Sequence, residues 1–329
     1  MKYFSTFTGI GGFELGIKQA YEELCNLRPN ELENNERPEE LYGIKDKLKQ
    51  WECMGYSEVD KYAIQIYEKH FKHKNYGDIT KIIASELPDF DFLCGGFPCQ
   101  SFSVAGKRKG FEDTRGTLFF DIARIIKEKR PKYFLLENVK GLLSHDNGRT
   151  FKTIISTIDE LGYDCQWQVL NSKNFGVPQN RERVFIVGHI RGTSRPKVFP
   201  ITKVNPKTIG KTLMDINQAR RVYGTEGTSI TLKGLGGGQG AKTGLYEVAN
   251  TIDANYYKGI NRNPGHASSQ RGIKQYGGIR RLTPIECERL QGFPDNWTED
   301  LSDTQRYKTL GNAVTVNVIK EIILRLYAR

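Results

Sequence analysis

Strand-like and helix-like segments alternate regularly over residues 1–189, and this alternation limits the possible folds more than any other feature. Residues 3–7, 51–59, 91–94, 133–136 and 184–189 are short and apolar, as strands are. Between them, apolar residues recur at helical spacing in residues 13–24, 61–71, 118–129 and 150–161. Such alternation predicts parallel strands joined by crossover helices. We therefore expect an α/β fold with a doubly wound, mostly parallel sheet.

Residues 190–279 differ in kind from the segments on either side. They contain 15 glycines and few long apolar runs, which predicts short strands, turns and loops around a small core. We expect a second, smaller, glycine-rich domain there, with residues 1–189 and 280–329 forming the first domain. A helix is predicted over residues 283–290, with Thr283 as its cap, Pro284 in its first turn and Glu286 at the capping-box position. A final helix is predicted over residues 314–327.

The net charge of +11 is concentrated in the glycine-rich segment. Residues 1–189 hold 27 basic and 27 acidic side chains, and residues 280–329 hold 8 and 7. Residues 190–279 hold 14 basic side chains and 4 acidic ones. A localised basic surface is typical of a protein that binds a polyanion. A surface that only improves solubility explains the charge equally well.

The composition argues against a secreted or membrane protein. No apolar run approaches the roughly 18 residues of a membrane helix, and Met1 is followed almost at once by a strand-like segment, so we expect no signal peptide. The six cysteines form no CxxC pair. His70 and His73 lie among lysines without a nearby cysteine, so no metal site is expected. We predict a cytoplasmic protein.

A glycine-rich turn follows the first strand and opens the first helix. Its residues Gly9, Gly11 and Gly12 allow close approach to a ligand, and a helix N-terminus offers free N–H groups. The spacing departs from the GxGxxG pattern of dinucleotide sites, and a tight structural turn is the alternative. Glu58 ends the second strand, where an acidic residue binds ribose hydroxyls. Together these features favour an adenosine-containing cofactor.

Cys99 stands in a loop that directly follows the strand predicted at residues 91–94. Ligands bind at the carboxyl ends of strands in open α/β sheets, so this thiol is well placed to react. A buried, unreactive cysteine is the alternative. The basic residues 105–110 that follow suit a loop that closes over a phosphate backbone.

Three charged residues after later strands complete the pattern. Glu137 ends the strand at residues 133–136, where its carboxyl group can bond a ring nitrogen, although a helix cap or salt bridge is as consistent with the sequence. Arg181 and Arg183 share one face if extended, and they can bind a carbonyl oxygen or support a thiolate. A structural ion pair with Glu182 or Glu137 is the competing interpretation. Gly311-Asn312-Ala313-Val314 is predicted to be a turn that opens the last helix.

Taken together and in this order, these motifs resemble the DNA (cytosine-5)-methyltransferases, particularly the compact enzymes of bacterial and phage restriction–modification systems. The resemblance covers about residues 1–189 and 278–329. The matching segments are Pro98-Cys99-Gln100, Glu137-Asn138-Val139, Gln179-x-Arg181-x-Arg183, Arg281-Leu282-Thr283-Pro284-x-Glu286-Cys287, Gln291-Gly292-Phe293-Pro294 and Gly311-Asn312-x-Val314.

The resemblance implies methyl transfer from S-adenosyl-L-methionine (SAM) to C5 of a flipped-out cytosine in a specific double-stranded DNA sequence. It implies a Rossmann-like catalytic domain and, in residues 190–279, a target-recognition domain. Cys99 would add covalently to C6 of the base, and Glu137 would act at N3. Arg183, supported by Arg181, would act at O2. Such an enzyme protects host or phage DNA from restriction.

The resemblance also implies which residues bind the cofactor. They are Phe7, Gly9, Gly11, Gly12, Glu58, Val59, Asp78, Ile79, Pro98, Leu118, Asn312 and Val314. Val59 stands where the family pattern suggests an aromatic side chain against adenine, so we expect a lower cofactor affinity.

A third set of residues is expected to contact DNA. It comprises Gln100, Ser103, Lys107, Arg115, Arg220, Arg221, Thr231, Gly237, Thr251, Tyr256 and Lys258. Two threonine pairs are candidates for the recognition motif of the family, Thr231-Leu232 and Thr251-Ile252, and the choice stays open, although the second is the fuller match. Ala105 replaces a polar residue common in the loop after Cys99.

The expected partners are double-stranded DNA and a cognate restriction endonuclease, which would be a functional rather than a physical partner. No membrane partner is expected, and we predict a monomer. Methylation of transfer RNA is an alternative, which the large basic lobe disfavours. A DNA-binding regulator with vestigial catalysis is another, and the intact Cys99, Glu137 and arginines oppose it.

Overall fold

The computed structural model describes residues 1–26, 51–98, 118–193, 197–202, 249–250, 272–275 and 278–327. Among these residues, a six-stranded sheet has the strand order β2-β1-β3-β4-β7-β5. Its strands are β1 (Lys2–Thr6), β2 (Glu52–Ser57), β3 (Phe92–Gly96), β4 (Tyr133–Val139), β5 (Tyr163–Asn171) and β7 (Glu182–Ile190). β1 pairs in parallel with β2 and β3, and β3 pairs in parallel with β4. β7 is antiparallel to β4. The predicted doubly wound, mostly parallel sheet is confirmed.

Seven helices and four short strands accompany this sheet in the described part of the chain. The helices are α1 (Gly12–Asn26), α2 (Lys61–His70), α3 (Leu118–Lys129), α4 (Arg149–Glu160), α5 (Pro284–Gln291), α6 (Asp303–Asn312) and α7 (Val316–Tyr327). The short strands are β6 (Gln179–Asn180), β8 (Ala249–Asn250), β9 (Gly272–Gln275) and β10 (Gly278–Arg281). β6 pairs with β8, and β9 with β10.

β5 and α6 were not expected from the sequence, and one expectation was wrong. β5 lies at the edge of the sheet and is only partly buried, so its residues mix polar and apolar types without a clear alternation. α6 contains few apolar residues and ends in Gly311 and Asn312, which are poor helix formers. These two residues therefore close α6 and do not open α7, which begins at Val316.

Apolar side chains cover one face of the sheet and pack against α3 and α4. They are Phe4, Leu93, Phe134, Leu136 and Ile186 from the strands and Ile122, Ile126, Ile154 and Ile158 from the helices. Successive side chains of a strand point to opposite faces, so Tyr3, Ser5 and Cys94 lie on the other face. There they are close enough to interact with Glu14 of α1.

The chain divides into two compact units. One comprises Met1–Leu170, Glu182–Ile201 and Ile319–Arg329, and the other comprises Asn171–Arg181 and Thr202–Val318. This division by compactness groups residues 280–318 with the second unit. The functional division predicted from the sequence, with residues 280–329 in the catalytic domain, stays a prediction.

The capping box of α5 forms as its sequence predicts. Thr283 Oγ1 accepts a hydrogen bond from the Glu286 N–H at 3.3 Å, and Glu286 Oε2 accepts one from the Thr283 N–H at 2.7 Å. Pro284 occupies the first turn, where its missing N–H costs nothing. The two side chains satisfy backbone groups that a helix end leaves without partners.

We predict that Thr283→Ala lowers the free energy of unfolding by about 1 kcal/mol, because the cap hydrogen bond is lost. Urea denaturation followed by circular dichroism measures the change. Ser302→Ala is the matched control, since Ser302 caps α6 without a side-chain hydrogen bond. An equal loss in both variants would contradict a role for the Thr283 hydroxyl.

Candidate active site

The glycine turn between β1 and α1 has an unusual backbone. Phe7, Gly9 and Gly11 all have positive φ, at 51°, 58° and 87°. A Cβ built on Gly11 would lie 2.4 Å from the Phe71 ring, whereas one on Gly9 would meet nothing within 4 Å. Phe71 therefore covers the backbone at Gly11, whereas a ligand can approach the backbone at Gly9.

Glu58 is held beside this turn by backbone hydrogen bonds. Its Oε2 accepts from the Gly9 N–H at 2.8 Å, and its Oε1 accepts from the N–H groups of Val59 and Asp60 at 2.8 and 2.9 Å. The structure thus brings together two of the predicted cofactor residues. A carboxylate has about four acceptor positions. These three N–H groups fill most of them, so Glu58 can still accept a hydrogen bond from a hydroxyl group. The Val59 side chain is 68% exposed.

Asp78 and Ile79 lie on a segment that is tied to the end of β2. Ser57 Oγ donates to the Gly77 carbonyl at 2.6 Å. Asp78 then caps the short 3-10 helix Ile79–Lys81, accepting from the Thr80 N–H and hydroxyl at 3.0 and 2.8 Å. These hydrogen bonds hold the pKa of Asp78 below its usual value. The Ile79 side chain is buried in the core, so a ligand can reach this residue only at its backbone.

The remaining predicted cofactor residues take different positions. Leu118 begins α3 and packs partly buried against the core, and Pro98 is exposed after β3. Asn312 is exposed at the end of α6, and Val314 is buried. Asn312 and Val314 belong to the second compact unit.

Glu137 and Arg183 form an ion pair between the neighbouring strands β4 and β7. Arg183 Nε lies 3.1 Å from Glu137 Oε1, and the two side chains are only 15% and 13% exposed. Burial lowers the pKa of Arg183, and the neighbouring Glu137 carboxylate opposes that shift. The pair is charged and largely shielded from water. Its electrostatic interaction with a bound polar group would therefore be strong.

Gly96 makes room for the Glu137 carboxyl group. It lies beside Glu137 in the register of β3 and β4, and a Cβ there would come 2.9 Å from Glu137 Oε2. Any larger residue at position 96 would push the carboxylate away from the end of β3. This strand leads through Phe97 and Pro98 to Cys99.

Asn138 anchors the chain just before Cys99, a role that the sequence reasoning missed. Its buried amide donates to the Phe97 carbonyl at 2.9 Å, and its Oδ1 accepts from the Val139 N–H at 2.8 Å. Its place directly after Glu137 was the available signal. Cys99 lies outside the described residues, as do all the predicted DNA contacts: Gln100, Ser103, Lys107, Arg115, Arg220, Arg221, Thr231, Gly237, Thr251, Tyr256 and Lys258.

Arg181 has surroundings unlike those of Arg183. It is 3% exposed and donates from Nη2 to the carbonyls of Gly311 and Ala313 at 3.2 and 2.9 Å. The two arginines of the Gln179-x-Arg181-x-Arg183 motif therefore have different partners. Arg183 pairs with a carboxylate and also donates to the carbonyl of its neighbour Glu182, whereas Arg181 donates to carbonyls at the end of α6.

Comparison with known proteins identifies the family. The family of C-5 cytosine-specific DNA methylases matches residues 1–328. The chain belongs to this family. The sequence resemblance is thereby confirmed, and the chain is a cytosine-C5 methyltransferase by membership.

Curated relatives cover nearly the whole of this family member. It is 41% identical to Type II methyltransferase M1.ScrFI of Lactococcus lactis subsp. cremoris, over 98% of this chain and 76% of the relative. It is 35% identical to Type II methyltransferase M.HhaI of Haemophilus parahaemolyticus, over 98% of this chain and 93% of the relative. Among solved structures, the S. pombe Dnmt2 methyltransferase shares the fold, with a TM-score of 0.64, 14% identity and coverage of 98% and 97%.

The described residues contain neither a membrane-spanning helix nor a cluster of metal-ligating side chains. No helix there has the length and hydropathy needed to cross a membrane. No group of three or more His, Cys, Asp or Glu side chains there is arranged to hold a metal ion. His73 instead lies 2.7 Å from the Tyr67 hydroxyl through Nδ1.

This family member buries a carboxyl group, Glu14, in the first turn of α1. Glu14 is 1% exposed, and neither of its oxygens has a hydrogen-bond partner among the described residues. Burial raises its pKa to about 7, although the nearby Ser5 and Tyr67 hydroxyls act to lower it. The sequence contained a signal for this burial, because Glu14 lies three positions before Ile17, on the apolar stripe of the helix.

We predict that Glu14→Gln removes a pH dependence of stability. The folded state holds a proton up to about pH 7, whereas the unfolded chain releases it near pH 4.5. Wild type should therefore lose stability relative to the variant as the pH rises from 5 to 8, by roughly 3 kcal/mol. Urea denaturation across this pH range measures the difference. A difference between Glu14→Gln and wild type that stays constant over this pH range would refute the assignment.

Proposed function

We propose that this chain transfers a methyl group from SAM to C5 of a cytosine flipped out of a specific double-stranded DNA sequence, through a covalent adduct between Cys99 and C6. The observation that carries the proposal is the buried Glu137–Arg183 ion pair at the ends of adjacent strands. It lies beside the strand that leads to Cys99, and its groups match the polar edge of a pyrimidine ring. Family membership supplies the reaction class.

The chemistry needs a nucleophile because C5 of cytosine is itself a poor one. The Cys99 thiolate forms a bond to C6, and the electrons of the C5–C6 double bond move toward C5 and N3. Glu137 takes up a proton from water and, in that protonated form, donates it or a hydrogen bond at N3, where negative charge develops. Arg183 stabilises the charge at O2, and its ion pair keeps Glu137 in place.

The residues around the glycine turn fit SAM. Gly9 leaves open space, and Glu58 is fixed beside it with about one acceptor position left for a ribose hydroxyl. When bound, SAM supplies an electrophilic methyl group. Phe7, Gly9, Gly11, Gly12, Glu58, Val59, Asp78, Ile79, Pro98 and Leu118 would hold it, and Asn312 and Val314 complete the set that the family resemblance implies.

Release of the product completes the cycle. Loss of the C5 proton to a base or to solvent water returns the electron pair to the C5–C6 bond, and the Cys99–C6 bond breaks to regenerate the thiolate. A base stacked in a duplex is out of reach of all these groups, so the target cytosine must first leave the helix.

DNA recognition is assigned to the basic residues 190–279, and catalysis to residues 1–189 and 280–329. The curated relatives are named Type II methyltransferases, which supports protection of host or phage DNA in a restriction–modification system. A cognate endonuclease would then be a functional partner. We further propose a cytoplasmic, monomeric enzyme.

We predict that Cys99→Ala abolishes methyl transfer, because without the thiolate C5 cannot be activated. The assay measures transfer of labelled methyl from SAM to duplex DNA and to transfer RNA in parallel. A duplex with 5-fluorocytosine at the target position should trap wild type covalently, since fluorine cannot leave as a proton does. Cys25→Ala is the control and should retain full activity. Methylation by Cys99→Ala would disprove the covalent route, and activity on RNA alone would disprove the DNA substrate.

We also predict that replacing Arg220 and Arg221 with alanine weakens DNA binding and reduces its salt dependence. Each lost phosphate contact should reduce the slope of log K against log salt by about 1. Fluorescence anisotropy with labelled duplex at several salt concentrations measures the slope. The affinity of the double variant for SAM should stay unchanged. Lys152→Ala, in the charge-neutral part of the chain, is the control and should change neither the DNA affinity nor the SAM affinity. Equal loss of SAM and DNA affinity would contradict the separation of the two functions.

A further inference from the structure

Five buried polar side chains gather around the end of α6 in the second compact unit. They are Ser172, Gln179, Arg181, Gln291 and Thr315, each no more than 3% exposed. We call them the Arg181–Gln291 cluster. Buried polar groups are costly unless they are hydrogen-bonded, so the contacts of the cluster indicate what it holds.

The cluster holds the backbone of residues 310–313, about one turn at the end of α6. Arg181 Nη2 donates to the carbonyls of Gly311 and Ala313 at 3.2 and 2.9 Å. Gln291 Nε2 donates to the carbonyls of Leu310 and Ala313 at 2.8 and 3.4 Å. A helix end leaves its last carbonyls without intrahelical partners, and here a guanidinium and an amide satisfy them.

The other members of the cluster orient these two donors. Gln291 Oε1 accepts from Thr315 Oγ1 at 2.9 Å and from Gln179 Nε2 at 3.4 Å, which fixes the orientation of its amide. The Ser172 hydroxyl lies 2.9 Å from that of Thr315. Arg181 is held through its own backbone, because its N–H donates to Asn171 Oδ1 at 3.1 Å.

The residue between the two carbonyls held by Arg181 is Asn312. Its side chain is exposed, although its neighbours Gly311 and Ala313 are buried. The chain turns to an extended conformation at Ala313, with φ −66° and ψ 149°. The bonds from Arg181 are charge-assisted and shielded from water, so they are stronger than ordinary hydrogen bonds. The cluster therefore sets the position from which Asn312 projects.

We propose that Arg181 is a positioning residue for the cofactor and not a catalytic residue. With Gln291, it holds the Gly311–Ala313 backbone so that Asn312 and Val314 are arranged in advance for SAM. Arg183, by contrast, acts on the base through its pair with Glu137. The proposal rests on the proposed function, in which Asn312 and Val314 bind SAM. It assigns different roles to Arg181 and Arg183, although they belong to one motif.

Arg181→Lys tests this assignment, because a lysine ammonium cannot reproduce the geometry of the guanidinium. Losing one such pair of bonds should raise the Kd for SAM, measured by calorimetry without DNA, about tenfold. The KM for SAM should rise in parallel, and kcat at saturating SAM should stay within about twofold of wild type. Arg183→Lys should give the opposite result, with a reduced kcat and an unchanged Kd for SAM.

Asn312→Ala is a second variant that leaves the cluster intact. If the cluster acts through Asn312, this change should raise the Kd for SAM to a similar extent. The Kd of the double variant with Arg181→Lys should then not exceed the larger Kd of the two single variants. Arg306→Lys is the control for structural loss. Arg306 is also a largely buried arginine of this unit, paired with Glu288 at 3.0 Å, and its replacement should lower the melting temperature without changing the Kd.

Two results would overturn the proposal. One is a fall in kcat for Arg181→Lys with unchanged Kd and KM for SAM, which would make Arg181 catalytic. The other is a lower melting temperature with unchanged Kd, as for Arg306→Lys, which would make it only structural. Wild type that binds SAM but does not methylate cytosine would instead contradict the proposed function, and the Kd comparison would still decide the role of Arg181.

Discussion

Parallel pairing of β1 with β2 and β3, and of β3 with β4, is the constraint on which the candidate site depends. Because parallel strands run in one direction, their carboxyl ends meet at one edge of the sheet. The glycine turn and Glu58 follow the ends of β1 and β2 and are joined by a hydrogen bond, and Glu137 lies near the carboxyl end of β4 at the same end of the sheet. β7 runs antiparallel to β4 and adds Arg183 at the same edge.

The structure contains three different solutions to the cost of burying charge. Glu137 and Arg183 neutralise each other across two strands. Arg181 donates from Nη2 to two backbone carbonyls, which cannot titrate. Glu14 has neither kind of partner and instead holds a proton more tightly, as its raised pKa shows. Of these three, only the first is a charged pair, and its side chains are 15% and 13% exposed.

Much of the fold was predictable because the local signals agreed with the tertiary environment. α3 has the bounds that its helical periodicity predicts, and the capping box of α5 forms as expected. β5 and α6 were missed for related reasons. β5 lies at the sheet edge, where partial exposure weakens the apolar pattern, and α6 is a polar helix that ends in Gly311 and Asn312.

The fold class and the family followed from the sequence, because spacing and residue identity are local properties of the chain. The partners of Arg181 and Arg183 did not follow from it, because the two residues are chemically identical and two positions apart. In the folded chain, one contacts carbonyls at the end of a helix and the other a carboxylate on a neighbouring strand. The physical reason is that the function of a charged side chain depends on the protein groups that surround it in place of water. Folding brings those groups together from distant parts of the sequence.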